Sequence, residues 1–123
     1  MLAHISIGVA DLARSRAFYD AVLPALGYAR VFDVEGAHGY GPPGQPAFWI
    51  GNEAETRPNA GFHVAFQARD RRAVQAFHAA ALKAGGRDNG QPGLRPEYTP
   101  DYYAAFIVDP DGHHIEAVTF SPA

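Results

Sequence analysis

Residues 3–27, AHISIGVADLARSRAFYDAVLPALG, and residues 62–86, FHVAFQARDRRAVQAFHAAALKAGG, are one pattern written twice. A shift of 59 positions lays His4 on His63, Asp11 on Asp70, Ala17 on Ala76, Phe18 on Phe77, Ala21 on Ala80, Leu23 on Leu82, Ala25 on Ala84 and Gly27 on Gly86. A duplication within so short a chain decides the fold, because each copy must then build the same unit. In each copy a short alternating run (4–9 and 63–68) reads as a strand, and an aspartate follows where a helix N-cap belongs, its carboxylate accepting from the first free backbone amides. A helix comes next. Leu12, Phe18, Val22 and Leu26 stripe the first, with Ser15 and Ala25 beside them, and Val74, Phe77, Ala81 and Leu82 stripe the second. Gly27, and Gly85 with Gly86, stand where a left-handed C-cap is wanted.

Beyond each helix the pattern returns to strands. The first copy offers 28–34, a weak segment at 38–40, and 47–51. The second offers 102–108 and 113–120, with its middle strand uncertain. Residues 36–46 and 85–100 are rich in Gly and Pro and read as loops, the second long enough to suggest a lid or binding loop. The polar stretch EAETRPNA (53–60) is the expected linker. The expected organisation is therefore one α+β domain of two modules, about residues 1–56 and 60–123, each a strand, a helix and two or three further strands.

Bulk properties narrow the function. A net charge of -3 with ten scattered Lys and Arg leaves no basic footprint for nucleic acid. The absence of cysteine removes disulfides, thiolate metal sites and thiol nucleophiles, so any metal must be held by His, carboxylate or water. No stretch approaches the ~20 apolar residues that span a bilayer, and none resembles a signal peptide, so a cytoplasmic protein with no membrane partner is expected.

Strand parity then sorts the side chains. Ile5, Ile7 and Val9 must meet the helix, which turns His4, Ser6 and Gly8 to the opposite face. Phe62, Val64 and Phe66 likewise leave His63, Ala65 and Gln67 opposite. In DPDGHHIEAVTF (109–120), Pro110, Asp111 and Gly112 suit a three-residue hairpin loop that pairs Asp109 with His113 and sets Phe106 across from Glu116. Tyr102, Ala104, Phe106, His114, Glu116 and Val118 then share the face away from the helices, and Ile107, Ile115 and Ala117 face them. Two histidines and a carboxylate on separate strands match the three-ligand facial site of a divalent ion. Trp49, Tyr102 and Phe106 on the same face suit a concave ligand pocket. His38, His78 and His113 have no partner legible in the sequence and read as surface residues, and RDRRAV (69–74) reads as a solvated turn.

The strand His with Asp11, Phe18 and Tyr19 behind it, the second His opening the repeat, and the closing DPDG hairpin with Ile115, Glu116 and Ala117 resemble the vicinal oxygen chelate superfamily. That group includes glyoxalase I, extradiol dioxygenases, methylmalonyl-CoA epimerase, fosfomycin-resistance transferases and bleomycin-resistance proteins. The resemblance covers nearly the whole chain. It implies tandem βαβββ modules forming a curled mixed sheet around a cupped pocket, helices outside, commonly as a homodimer. It places His4, His63 and Glu116 on metal-ligand positions for one divalent ion (Zn, Mn, Fe or Ni).

Around those positions, the residues sharing or neighbouring the same face make Glu116, His114 and Tyr102 candidate catalytic groups, and Ser6, Trp49, Tyr98, Tyr102 and Phe106 candidate substrate contacts. Residues 47–51 supply no fourth ligand, which departs from the glyoxalase I pattern. The three-ligand pattern is shared with the fosfomycin transferases, but EYTPDYYAAF (97–106) stands where their Ser-rich potassium loop would lie. The expected function is metal-dependent chelation of a small oxygenated substrate, with lyase, isomerase, transferase and dioxygenase chemistry all open. The alternatives are a metal-free protein that encloses a drug or other small molecule, and an interaction module. Metal affinity should fall as pH drops through the histidine range, because only neutral imidazole ligates.

Overall fold

A computed structural model describes residues 1–123. Its elements are β1 (Ile5–Val9), α1 (Leu12–Val22) with a 3-10 turn (Leu23–Leu26), β2 (Ala29–Val34), β3 (Ala37–Gly41) and β4 (Phe48–Asn52), then β5 (His63–Gln67), α2 (Arg71–Lys83), β6 (Arg87–Leu94), β7 (Tyr103–Val108) and β8 (His114–Thr119). Two four-stranded sheets result, ordered β1-β4-β3-β2 and β5-β8-β7-β6, and no ladder joins them. Each is a βαβββ module of the same topology. The first strand runs parallel to the last, and the remaining pairs are antiparallel. The α+β class and the tandem repeat are thus as the sequence implies, and within one chain the sheets stay separate.

Local chemistry explains the helices. Asp11 and Asp70 sit in extended backbone and accept from Arg14 N at 3.1 Å and Ala73 N at 2.8 Å. Gly27 closes the 3-10 turn with φ +82°, a conformation that L side chains resist. The helix-side faces of both sheets and both helices share one core of 21 buried residues. Phe48 and Phe66, one from each module, meet edge to face at 5.2 Å. Leu82 departs from its expected place in the α2 stripe: it is 43 % exposed, and His78 takes an inward position instead.

Two segments read as loops carry strands. In β3, Gly39 and Gly41 are there for close approach, not for a turn. A Cβ on Gly39 would lie 2.9 Å from Pro46 Cβ and 3.0 Å from the Trp49 ring, and one on Gly41 would lie 2.2 Å from Gln45 O. In the second module, β6 runs through residues expected to be loop. It tolerates Pro92 and two glycines because it is an edge strand with register shifts at Asp88/Gly90 and Gly90/Gly93.

The histidines read as surface residues also have partners. His38 and His78 are buried at 8 % and 7 % exposure, 2.6 Å from Asp33 and 2.8 Å from Asp88. His113 Nε2 donates to Gly8 O at 2.6 Å, across the modules. These pairs join residues from different elements or from across a turn, so local periodicity gave no sign of them. Hydrogen-bonding neighbours hold the two carboxylates below their ordinary 3.8: Arg30 first and His38 second at Asp33, and His78 first and the Gly90 amide second at Asp88.

Buried phenols set the alkaline limit of the fold. Burial first, then Asp109, pushes Tyr19 well above its ordinary 10.0, and burial with Asp20 does the same to Tyr40. The fold favours the neutral phenol, so this contribution is complete below pH 10 and declines as pH rises further. Denaturant titrations at increasing pH are expected to show a midpoint that is stable from 7 to 9 and falls above 10. In Tyr19→Phe the alkaline fall should be shallower.

Candidate metal and ligand site

The closing hairpin has the register read from the sequence. Asp109 N donates to His113 O at 2.9 Å, Gly112 takes φ +100°, and Phe106 lies opposite Glu116. Its turn also joins the modules. Asp111 accepts from Ala10 N at 3.1 Å, from Arg14 at 3.0 Å and from Ser15 Oγ at 3.2 Å, while Asp109 accepts from the buried Tyr19 hydroxyl at 2.6 Å. DPDG is therefore both a turn and the clasp that holds the start of β8 against α1. No local sequence signal marks that second role.

Glu116 follows on β8, facing away from the helices yet only 1 % exposed. Its burial comes from polar and aromatic neighbours. His63 Nε2–H donates to Oε1 at 2.9 Å, and the Tyr102 hydroxyl donates to Oε2. Burial first, and Glu116 second, raise the Tyr102 phenol above its ordinary 10.0 and keep it a donor. His63, Tyr98, Tyr102, Phe106 and Glu116 line an open pocket of about 370 Å³ on the outer face of the second sheet. Tyr98 and Tyr102 pack edge to face at 4.9 Å, and Tyr102 packs on Phe120 at 5.4 Å, so the tyrosines come as a braced pair. His114 stands beside His63 in the β5–β8 ladder but lines no pocket and makes no side-chain hydrogen bond.

The remaining candidates lie elsewhere. His4, Ser6 and Trp49, with Ala37 and Pro46, line a second open pocket of about 430 Å³ on the outer face of the first sheet. The sequence reading gathered His4, His63 and Glu116 into one cup. Within a single chain they are divided between the modules, and no three His, Cys, Asp or Glu side chains cluster anywhere. Parity correctly gave the face of each sheet, but it does not say which sheets look at each other. His63 and Glu116 converge as two donors, one fewer than the three protein ligands usual in catalytic zinc sites. One chain alone therefore does not fit the ion.

The duplication shows how the two pockets correspond. Ser6 pairs with Trp49 across β1–β4, and Ala65, its counterpart 59 residues on, pairs with Glu116 across β5–β8. Trp49 therefore occupies in the first module the position that Glu116 occupies in the second. One pocket offers a histidine and an indole wall, and the other a histidine and a carboxylate. A first-module pocket set against a second-module pocket would hold two imidazoles and one carboxylate. Both β1 and β5 are sheet edges with one side unpaired, and such edges are where a further strand can add.

Residues 1–117 match the family model described as Glyoxalase/Bleomycin resistance protein/Dioxygenase superfamily. Among solved structures, a glyoxalase/bleomycin resistance protein from Albidiferax ferrireducens is 32% identical, with a TM-score of 0.88 over 97% of this chain and 98% of that one. A glyoxalase-related enzyme from Fulvimarina pelagi (22% identical, TM-score 0.74, 97% and 87% covered) shares the fold. So does the fosfomycin resistance protein FosX from Listeria monocytogenes (17%, TM-score 0.72, 97% and 92%). No curated protein matches the chain by sequence. No helix is long and apolar enough to cross a membrane.

Proposed function

Because the chain belongs to the glyoxalase/bleomycin resistance/dioxygenase superfamily, we propose that it works as a homodimeric, divalent-metal-dependent enzyme on a small oxygenated substrate. His63 and Glu116 of one chain and His4 of the partner subunit would hold the ion. The observation that carries this reading is the division of the donors. Glu116 and His63 already converge in one pocket, while the only other histidine on an outer pocket face lies in the pocket where Trp49 replaces the carboxylate. Each half lacks what the other has, and the free β1 and β5 edges give two copies a way to bring them together. Such an ion would supply Lewis-acid polarisation of two substrate oxygens.

The protein groups have separate tasks. Tyr102 holds Glu116 Oε2 and so fixes the rotation of the carboxylate, which leaves Oε1 turned toward His63 and the open pocket. Phe106 and Tyr98 wall the substrate on one side, with Ser6 and Trp49 of the partner subunit on the other. His114, without a fixed partner, is the candidate to move a proton at the start of β8. Lyase, isomerase, transferase and dioxygenase chemistry stay open; iron would point toward oxygen chemistry, manganese toward a transferase-like site, and zinc or nickel toward isomerase or lyase chemistry.

A metal-free binding protein is the second reading, and one observation favours it. Both Glu116 oxygens are already satisfied by His63 and Tyr102, and no buried side-chain polar atom lacks a partner. Loading untagged protein in turn with Zn, Mn, Fe and Ni separates the two. One ion per chain in a dimer-sized species, stabilised against unfolding by about 2.7 kcal/mol at a hundredfold excess over Kd, is expected. No retained ion under any loading, with ligand binding indifferent to chelator, would establish the second reading.

A further inference from the structure

One rung of each sheet carries the residues that line its pocket. In the first sheet it runs Phe32, Gly39, Trp49 and Ser6, from β2 to β1, and in the second Gly90, Phe106, Glu116 and Ala65, from β6 to β5. Both rungs set a large ring beside a glycine, and in both the ring leans over that glycine. A Cβ on Gly39 would stand 3.0 Å from Trp49 Cε2 and Cζ2, and one on Gly90 would stand 2.8 Å from Phe106 Cδ1. A side chain standing upright on the pleat would not come so close to the neighbouring strand, so the indole is laid across β3. The first module therefore has an aromatic floor where the second has Glu116.

That floor is braced from its sides. Pro46 Cβ would lie 2.9 Å from the same Gly39 Cβ, and the Phe32 ring centroid is 5.7 Å from that of Trp49, tilted by 59°. Phe32 is 50 % exposed on an edge strand and takes no part in the core, so the indole is its aromatic partner. With His4, Ser6, Ala37 and Pro46, Trp49 lines an open pocket of about 430 Å³, a volume within the range of small-molecule sites. No Lys, Arg, Asp or Glu lines it. Its polar groups are also uncommitted. The side chains of His4, Ser6 and Trp49 make no hydrogen bond within the chain, whereas in the second pocket His63, Glu116 and Tyr102 satisfy one another.

From this we infer that Trp49 is a stacking floor, and that the first-module pocket takes a flat, uncharged aromatic ring bearing a hydrogen-bonding substituent within reach of Ser6. That the ring belongs to a substrate rests on the function proposed above; the floor itself needs no ion, because one chain builds it. A ring already fixed by its neighbours loses little freedom when a second ring packs on it, and such a pair gains stability beyond the area it buries.

Trp49 is the chain's only tryptophan, so its indole N–H gives a single resonance in isotope-labelled protein. Benzamide and cyclohexanecarboxamide carry the same amide on a flat and a puckered ring. Titrated into chelator-treated protein at millimolar concentrations, benzamide should move the indole resonance saturably and bind about fivefold tighter than its saturated counterpart. Ser6→Ala should weaken both amides alike, by on the order of fivefold, and leave their ratio unchanged. Trp49→Leu, followed through the ligands' own signals, should bind the two equally. Phe32→Ala, at an exposed position, should cut the preference to about twofold and serves if Trp49→Leu melts abnormally. Equal affinities in the wild type overturn the stacking floor, as does a preference that survives Trp49→Leu in a normally melting protein. An indole resonance that moves with protein concentration and not with benzamide would assign the face to a second copy and overturn it too. Ion retention measured on metal-loaded samples judges the metal site separately. A preference equal with and without metal upholds the floor even if no ion is retained, and one that appears only after loading overturns it.

Discussion

Glu116→Gln is expected to fold as the wild type does and to lose its divalent ion. The amide is isosteric, still accepts from the Tyr102 hydroxyl through one atom, and can donate to the His63 ring through the other, so the buried position stays satisfied. What disappears is the only carboxylate on either outer pocket. Removing a group that merely orients a ligand typically costs ten- to a hundredfold in metal affinity, so loss of the ligand itself should cost on the order of a hundredfold or more. Equilibrium dialysis against each ion, with thermal melting as the folding control, measures both. Unchanged metal affinity in a normally folded variant would remove Glu116 from the site.

Asp109→Ala should have the largest effect on stability among single changes outside the hydrophobic core. Asp109 is 3 % exposed and accepts three bonds, from the Tyr19 hydroxyl at 2.6 Å and from the amides of Asp111 at 2.9 Å and His113 at 2.8 Å. Truncation leaves the fully buried Tyr19 hydroxyl without its acceptor, at a cost of about 3 kcal/mol. That is a large part of an ordinary domain's 5–15 kcal/mol and should lower Tm by on the order of 10 °C. Asp11→Ala, the loss of one exposed helix cap, should cost only about 1 kcal/mol. Equal effects of the two changes in denaturant melts would contradict the clasp role of the DPDG turn.

Much of this could be read from the residues because the duplication carries information twice. Asp11 and Asp70 cap, Ile7 and Phe66 point inward, and His4 and His63 point outward for the same reasons in both copies. The Phe106–Glu116 register followed from the hairpin turn alone. β6 was hidden because Gly90, Pro92 and Gly93 carry the signature of a loop, and an edge strand is where a sheet tolerates them. His38, His78 and His113 were misread because their acceptors come from other elements or from across a turn. The separation of His4 from His63 and Glu116 could not be read, because alternation assigns a face to a strand and says nothing of which sheets look at each other.

A heterodimer tests the shared site most directly. One chain carries His4→Ala and a first affinity tag, the other His63→Ala and a second tag, and the mixed species is purified through both. Each homodimer should bind no ion. In the heterodimer the His63→Ala chain keeps its His4 and the His4→Ala chain keeps His63 and Glu116, so one complete site forms and one ion per dimer is expected. If all three ligands came from the same chain, both sites would be broken and the heterodimer would bind none.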